Sequence, residues 1–283
     1  MNKGHTRTLL HHKVYRLAPE AEWVVFIHGA GGSLTTWKYQ VEAFRPFFNL
    51  LLIDLRDHGG SKNIEPEYRD YNFDIVTGDV IRVIDHLGIR KAHFLSLSLG
   101  SVILQKLDEE RPDLIGKMVM AGGVFRATFA IRLFVHSAKF LNYFLPYRVM
   151  YNLFSWIVLP RRNHRQSRRL FRLQSQKLSS REYLKWVGLY KDFFRLLRRF
   201  FDRKLEKLSL VVMGEQDHVF NKAAQRFVAQ HQKAQMAIIE KCGHVVNIEQ
   251  HERFNQMVLA FLAPPGLPHR AKEYPLPSPA KKE

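Results

Sequence analysis

The sequence predicts an α/β fold, in which a mostly parallel sheet is flanked by helices and a helical cap is inserted into the chain. Two observations carry this prediction. Short apolar runs typical of buried strands alternate with segments of helical periodicity. Residues with known catalytic chemistry follow directly after several of these runs, where open α/β sheets place their sites. With 283 residues, the chain is long enough for one large core with an insertion.

The individual elements follow one another along the chain. Apolar runs predict strands over residues 23–27, 49–53, 92–97, 117–121, 208–213 and 236–239. Helices are predicted over residues 73–87, 102–110 and 222–232 and around residues 254–261. The first of these helices carries an apolar stripe, and Gly88 follows it as a C-terminal cap.

Ser98 stands at the end of the apolar run 92–97, directly before a predicted helix. A serine nucleophile needs a sharp strand-to-helix turn, and such a turn demands small residues two positions to either side. Here these residues are Ser96 and Gly100, so serine replaces the first glycine of the usual motif. Taken alone, the segment is equally compatible with a serine-rich turn that has no catalytic role.

Two later loops supply the other members of a catalytic triad. Asp217 follows the run 208–213, and His244 follows the run 236–239. The 26 residues between them leave room for a helix and a strand, so both loops emerge at the same sheet edge. The chain order is nucleophile, acid and base. We therefore predict Ser98 as the nucleophile, His244 as its base and Asp217 as the acid that orients the base.

With two further turns, these motifs resemble the α/β-hydrolase fold family. The segment from His28 to Gly32 follows the first predicted strand, as the family's oxyanion loop does. The segment from Asp54 to Ser61 resembles the family's turn D-x-R-G-H-G-x-S, with Asp57 where glycine is more usual. The resemblance covers roughly residues 13–125 and 208–262. It implies a serine hydrolase of the esterase or lipase type.

Backbone donors must stabilise the oxyanion that forms during such a reaction. We predict the N–H of Leu99 as one donor, because it directly follows the nucleophile. The second donor is expected to be Ala30, with Gly31 as the alternative. His28, Gly29 and Gly31 are expected to support this loop. A phosphate-binding loop is not favoured here, because no Gly-Lys-Ser/Thr follows.

The remaining histidines and the one cysteine suggest no second type of site. His58 is expected to lie in a turn, and the other histidines show no metal-ligand spacing, so neither a metal nor a cofactor is expected. Asp54 and Asp57 are expected to be turn residues. Cys242 is the only cysteine, which excludes an internal disulfide and fits a reducing cytoplasm. We expect it to pack in the core.

The sequence also carries expectations about location. Residues 1–16 are polar, with four basic residues and no apolar centre, so we expect no secretory signal peptide. No run of eighteen apolar residues occurs, which argues against a transmembrane helix. We therefore expect a cytoplasmic protein, with peripheral attachment to a membrane as an option.

The basic charge is concentrated in one segment. Residues 126–207 hold 20 Lys and Arg against 4 Asp and Glu, a net charge of +16 out of +18 for the chain. The same segment holds 17 of the 35 aromatic residues. We predict a helical cap or lid at 126–207 between two parts of a hydrolase core, 1–125 and 208–262. A proline-rich flexible tail is expected at 263–283.

Three interpretations of the basic cap stay open. It is a solvated cap whose aromatic side chains pack on the core, or it contacts an anionic membrane through the cluster at residues 161–169. Nucleic-acid binding is the third and is not expected, because no DNA-binding or RNA-binding motif accompanies the charge. The sequence does not predict an oligomeric state.

We predict a serine hydrolase that acts on a small apolar ester and cleaves the ester of a largely apolar acyl group through an acyl-enzyme. The same triad would serve a thioesterase, a C–C bond hydrolase or a lyase. The alternative from another class is a non-catalytic protein that binds a ligand or a membrane with a hydrolase-like fold.

Overall fold

The computed structural model describes residues 8–68, 72–127, 129–141, 144–175 and 177–263. The strands in this part are His12–Tyr15 (β1), Trp23–Ile27 (β2), Asn49–Ile53 (β3), Ala92–Leu97 (β4), Ile115–Ala121 (β5), Ser209–Gly214 (β6) and Ala234–Ile239 (β7). The helices are Lys38–Phe44 (α1), Phe73–His86 (α2), Gly100–Glu110 (α3), Phe129–Leu141 (α4), Tyr147–Val158 (α5), Arg165–Ser175 (α6), Ser180–Gly188 (α7), Tyr190–Asp202 (α8), Asn221–Gln230 (α9), Val246–Glu249 (α10) and His251–Leu262 (α11).

The strands form one sheet in the order β1-β3-β2-β4-β5-β6-β7. β1 pairs antiparallel with β3, and every other pairing within the described strands is parallel. The predicted mostly parallel α/β fold is therefore confirmed. Because parallel strands point the same way, the loops that follow β2, β3, β4, β6 and β7 all emerge at one edge of the sheet. This edge carries the site described below.

The central strands explain why the apolar runs were readable in the sequence. Every residue of β3 and of β4 is buried, as expected for strands covered by helices on both faces. The predicted stripe on α2 is buried as well, and Gly88 follows the helix with a φ of +68°. α3 begins at Gly100, two residues before the predicted start.

Helices α4 to α8 lie between β5 and β6, where the cap was predicted. α8 packs on the main core through Leu196, Leu197, Phe200 and Phe201. A second, smaller apolar cluster forms within the insertion around Met150, Tyr151, Leu178 and Tyr183. The role of this insertion as a cap that governs substrate access stays a prediction. Of the predicted tail, all but Ala263 lies outside the described residues.

None of the described helices combines the length and the apolar composition that crossing a bilayer requires.

Candidate active site

Ser98 occupies the turn between β4 and α3 with a φ of +52°. This left-handed conformation is uncommon for a residue other than glycine and marks a strained turn. The Ser98 N–H donates to the carbonyl of Ala121 at 2.9 Å, and the Ser101 hydroxyl donates to the carbonyl of Ser98 at 2.7 Å. These bonds hold a backbone that presents the Ser98 hydroxyl at the carboxyl edge of the sheet.

Close packing around the turn explains the small residues beside Ser98. A Cβ added at Gly100 would lie 2.7 Å from the carbonyl oxygen of Ile27, too close for any side chain. On the other side, Ser96 replaces the usual glycine of the motif. Ser96 is buried, and its hydroxyl donates to the carbonyl of Val119 at 3.1 Å. The serine therefore fits the turn, because its polar atom has a partner within the sheet.

Ser98, His244 and Asp217 form one hydrogen-bonded chain. The Ser98 hydroxyl lies 2.8 Å from His244 Nε2, and His244 Nδ1 lies 2.7 Å from Asp217 Oδ2. Asp217 is fully buried, and its Oδ1 accepts the N–H groups of Phe220 at 3.0 Å and Val219 at 3.2 Å. A carboxylate anchored in this way orients the imidazole so that Nε2 faces the serine. The three residues predicted from the sequence are thus in contact.

The glycine-rich loop after β2 lies beside Ser98. A Cβ added at Gly29 would lie 3.1 Å from the Cβ of Ser98. The Gly31 N–H donates to His58 Nε2 at 3.0 Å. Because this bond occupies Gly31, Ala30 is the better of the two predicted candidates for the oxyanion donor.

Two buried histidines fasten this loop. His28 Nδ1 donates to the carbonyl of Gly29 at 2.8 Å, and His58 Nδ1 donates to the carbonyl of Arg56 at 3.0 Å. Burial lowers the pKa of His58 to about 3, and the neighbouring His28 adds to this shift. Burial also lowers the pKa of His28. Both rings are therefore neutral near pH 7, so His58 Nε2 is free of a proton and accepts the Gly31 N–H.

The role of His58 in holding the loop is absent from the sequence-based prediction, which placed this residue only in a turn. The position of His58 directly after β3 is a sequence signal that points to this role. β2 and β3 are parallel neighbours, so the turn after β3 lies beside the loop after β2.

We expect the free energy of unfolding to decrease as the pH falls from 6.5, the ordinary His value, toward the depressed pKa of His58 at about 3. In that window His58 is protonated in the unfolded chain and neutral in the folded protein. The free energy of unfolding therefore rises with pH. One such group contributes a slope of about 1.4 kcal/mol per pH unit. Urea denaturation of the wild type and of His58→Gln across this range measures the slope, which should be shallower in the variant. His86→Gln, which changes an exposed histidine, is the control. Equal slopes for wild type and His58→Gln would contradict the buried neutral imidazole.

The two carboxylates of the turn after β3 have partners away from His244, in the turn and in neighbouring segments; the Asp57 carboxylate lies 3.7 Å from Lys185 Nζ of the cap. Asp54 accepts the N–H of Leu34 at 2.6 Å and the N–H of Gly60 at 2.8 Å. Asp57 has a φ of +62°, a conformation that aspartate tolerates better than most residues. This explains how it occupies a position where glycine is more usual. Both are turn residues, as predicted, and Asp217 remains the acid that contacts the histidine.

Cys242 is a free and fully buried cysteine two residues before His244. Burial raises the pKa of its thiol, so the reactive thiolate is disfavoured near pH 7. Its packing role agrees with the prediction. Within the described ranges, no group of three or more His, Cys, Asp or Glu side chains could hold a metal ion.

A buried contact joins the cap to the loop of His244. Glu249 accepts the N–H of Gly243 at 2.7 Å and the N–H of Val245 at 3.4 Å, so one carboxylate binds the backbone on both sides of the histidine. His164, in the cap, lies 3.8 Å from the same carboxylate and 2.9 Å from Gln216 Oε1. No local sequence signal marks Glu249, because its partners are backbone groups in a preceding loop.

A cavity of about 370 Å³ lies over Ser98 and His244. Its floor includes Leu99 and the loop from Gly29 to Gly32. Its roof comes from the cap and is mainly apolar; examples are Met150, Phe154, Val158, Phe171, Trp186 and Phe193. Among the described residues that line it, Lys38 is the only Lys, Arg, Asp or Glu.

Tyr151 of the cap also reaches the glycine-rich loop. A Cβ added at Gly31 would overlap the Tyr151 hydroxyl, so only glycine leaves room for this ring. Burial raises the pKa of Tyr151, which keeps the hydroxyl protonated. A hydrogen-bond donor from the cap therefore lies beside the loop that is predicted to bind the oxyanion.

Comparison with known proteins places this geometry in context. The model of the alpha/beta hydrolase family matches residues 24–257. The chain is 23% identical over 266 residues to a putative carbamate hydrolase, RutD, of Stutzerimonas stutzeri, covering 90% of this chain and 97% of the relative. It is 26% identical to a 2-hydroxy-6-oxononadienedioate/2-hydroxy-6-oxononatrienedioate hydrolase of a Pseudomonas species, over 257 residues, covering 86% of this chain and 88% of the relative. The crystal structure of the enol-lactonase from Burkholderia xenovorans is similar in fold, with a TM-score of 0.72 and 21% identity, covering 90% of this chain and 96% of that one.

Proposed function

Because this chain belongs to the alpha/beta hydrolase family, we propose that it is a serine hydrolase that cleaves an ester of a largely apolar acyl group. One observation carries the proposal. The Ser98 hydroxyl, His244 and Asp217 form a hydrogen-bonded chain, with distances of 2.8 and 2.7 Å, at the floor of an apolar cavity. A serine hydroxyl needs this arrangement to act as a nucleophile near neutral pH.

The proposed reaction proceeds through an acyl-enzyme. His244 Nε2 takes the proton of Ser98 as the serine oxygen attacks the ester carbonyl, and Asp217 stabilises the resulting imidazolium. The N–H groups of Leu99 and Ala30 are proposed to bind the oxyanion. The imidazolium then protonates the leaving alcohol. A water molecule, activated by the same histidine, releases the acid and restores the serine.

The character of the cavity supports an apolar acyl group. Aromatic and aliphatic side chains form its roof, and a volume of about 370 Å³ suits a small ligand. Such a lining contributes affinity through the apolar surface that the acyl chain removes from water.

A C–C bond hydrolase is the second candidate, because the name of the Pseudomonas relative gives it substrates of the kind that such an enzyme would cleave. Its named substrates are dioates, which carry two carboxylates. Lys38 is the only formally charged basic residue among the described residues that line the cavity. One cation matches a diacid poorly, so the cavity favours the apolar ester. A thioester or a lyase substrate would use the same groups and is distinguished by assay.

A series of p-nitrophenyl esters of increasing acyl length tests the proposed substrate class. We expect kcat/KM to rise with chain length until the cavity is filled, by up to about 4-fold for each methylene, since burying one contributes about 0.8 kcal/mol. Thioesters of matched acyl length and a dioate with a cleavable C–C bond are the comparison substrates. Rates independent of acyl length, or a preference for the dioate, would contradict the proposal. A lack of turnover with every substrate would favour a non-catalytic binding protein.

We expect Glu249→Ala to lower kcat about 10- to 100-fold with a smaller change in KM, because misplacing a catalytic group has effects of this size. The variant removes the acceptor for the N–H groups of Gly243 and Val245. Glu249→Gln keeps one oxygen acceptor, which suffices for the shorter bond from the Gly243 N–H but not for the longer one from Val245, and should restore part of kcat. Steady-state kinetics and thermal unfolding of both variants separate positioning from stability. Glu252→Ala, an exposed carboxylate on α11, is the matched control. If both Glu249 variants lose stability but keep kcat, the carboxylate has only a structural role.

A further inference from the structure

The outer side of the cap exposes many large apolar side chains. Within the described part of the chain, 13 large hydrophobic side chains are exposed, and eight of them lie between residues 129 and 156. These eight are Phe129, Leu133, Phe140, Phe144, Leu145, Val149, Leu153 and Trp156. Exposure reaches 81% at Phe129 and 71% at Phe144. Exposed apolar side chains that are concentrated in one segment, rather than scattered singly over the surface, indicate an interaction site.

The exposed residues form one stripe on each of two helices. On α4 the stripe is Phe129, Leu133 and Phe140, and on α5 it is Val149, Leu153 and Trp156. With 3.6 residues per turn, each set falls within a sector of about 60°. The rings of Phe140 and Phe144 lie 5.4 Å apart, which continues the first stripe into the turn before α5. We call these eight residues the apolar stripe.

The faces of the same two helices that line the cavity are also apolar. Ile131 and Val135 of α4 and Met150 and Phe154 of α5 line the cavity over Ser98. A helix that is apolar on both faces is normally covered on both. Here the inner faces have the cavity and the core beneath them, whereas the stripe faces solvent. The stripe is therefore exposed although its apolar composition is typical of a helix face that packs against another surface.

The charge around the stripe has one sign. Between residues 126 and 181 the chain holds 12 Lys and Arg and no Asp or Glu. Arg132, Arg148, Arg165, Arg169 and Arg172 are exposed in this segment. A second copy of the chain would bring a surface of the same sign against the stripe, which is unfavourable. A negatively charged apolar phase matches both the side chains and the charge.

Arg168 does not belong to this exposed charge, although the sequence analysis grouped it with the cluster at 161–169. It is buried, its guanidinium donates to the carbonyls of Leu159 and Arg161, and it lies 4.1 Å from the centre of the Trp156 ring. It holds the end of α5 in place, so a test of surface charge must leave it unchanged.

We propose that the apolar stripe docks on an anionic lipid surface, with its side chains in the interfacial layer and the surrounding arginines at the headgroups. Apolar insertion and attraction to anionic lipid add in such contacts. Docking would bring α4 and α5, which contribute to the roof of the cavity, against the lipid that carries a lipid-borne ester. This last point rests on the proposed ester hydrolysis, whereas binding to the surface does not.

Co-sedimentation with vesicles of phosphatidylcholine, with or without phosphatidylglycerol, tests the docking at low and high salt. The protein carries Ser98→Ala, so that binding is measured without turnover. One variant changes Leu133 and Phe140 to Ser, and a second changes Val149 and Leu153 to Ser. Neither pair lines the cavity. Trp156 is left unchanged because of its contact with Arg168.

The matched control changes Leu17 and Leu208 to Ser, which are 48% and 51% exposed. Leu17 follows β1, whose end at Tyr15 pairs with Leu50 at the start of β3, and Leu208 precedes β6. Both therefore lie at the sheet edge opposite the cap. Circular dichroism checks that each variant is folded. Hydrolysis of a soluble short ester by the same substitutions made in the protein that retains Ser98 is a second check.

We expect the protein to bind vesicles with phosphatidylglycerol more tightly than phosphatidylcholine alone, and the difference to shrink at high salt. Each stripe variant should lower the partition coefficient at least ~10-fold, equivalent to about 1.4 kcal/mol. The control pair should bind as the unsubstituted protein does. Because these readouts use an inactive serine variant, they hold or fail independently of the proposed reaction.

Four results would overturn the docking proposal. The first is no sedimentation with any vesicle, and the second is unchanged binding in both stripe variants. The third is a dimer in light scattering that the stripe variants convert to a monomer, which would assign the stripe to a second copy of the chain. Binding to a DNA oligonucleotide that is tighter than binding to vesicles, and insensitive to the stripe variants, would likewise replace lipid with nucleic acid.

Discussion

Replacing Ser98 with alanine is expected to abolish ester hydrolysis and leave the fold intact. The substitution removes the attacking oxygen, and loss of the nucleophile in such triads costs on the order of 10⁶-fold in kcat. The backbone bonds of the turn, to Ala121 and from the Ser101 hydroxyl, do not involve the Ser98 side chain. Thermal unfolding should therefore change little. The residual rate comes from positioning and the oxyanion donors alone.

Labelling with a fluorophosphonate, followed by mass spectrometry, identifies the acylated residue directly. The adduct is expected on Ser98. Ser96→Ala is the matched control, because its hydroxyl bonds to the carbonyl of Val119 and faces away from the reaction. An adduct on Ser96 or Ser101 would refute the assignment of the nucleophile. An adduct on Cys242 would also refute it, and none is expected because this side chain is buried.

His244→Ala should lower kcat by several orders of magnitude, because the serine loses the base that takes its proton. On the wild-type enzyme, kcat/KM should decrease toward acid pH, since only the neutral imidazole accepts that proton. This acid limb should disappear from the residual activity of His244→Ala. His218→Ala, an exposed histidine next to Asp217, serves as the control and should keep the wild-type profile.

Asp217→Asn tests the third member with almost no change in shape. One oxygen of Asp217 faces His244 Nδ1, and the other accepts the N–H groups of Val219 and Phe220. All of these partners are donors, so the amide NH₂ of the variant must oppose one of them. We expect kcat to fall about 10⁴-fold, as the wrong imidazole tautomer causes in other triads. A pH-rate profile without an acid limb in the wild type, or near-normal kcat in Asp217→Asn, would contradict the triad.

The strands show which elements a local sequence pattern can predict and which it cannot. β3 and β4 are buried along their whole length, so their sequences are continuous apolar runs and both were predictable. β1 has the sequence His-Lys-Val-Tyr, lies at the sheet edge and is mostly half-buried, so no apolar run marks it. β1 is a strand because it pairs with β3, and a local sequence pattern does not show which strands become neighbours.

The elements of the candidate site were predictable for a similar reason. Ser98, Asp217 and His244 each follow a strand that the sequence reveals, and parallel strands bring their carboxyl ends to one edge. Order and strand-end placement therefore predicted the contact between residues that are 146 positions apart in the chain.

Side-chain contacts between separate segments were decided only by the tertiary structure. The sequence does not show that His58 binds Gly31, that Glu249 holds the loop of His244, or that Arg168 turns inward while its neighbours face solvent. Likewise, the apolar residues of α4 and α5 predict burial wherever they occur, and only packing shows which face covers the cavity. The physical reason is that periodicity reflects only which residues of one element are buried. These contacts depend instead on which elements become neighbours and on how each element is rotated about its axis.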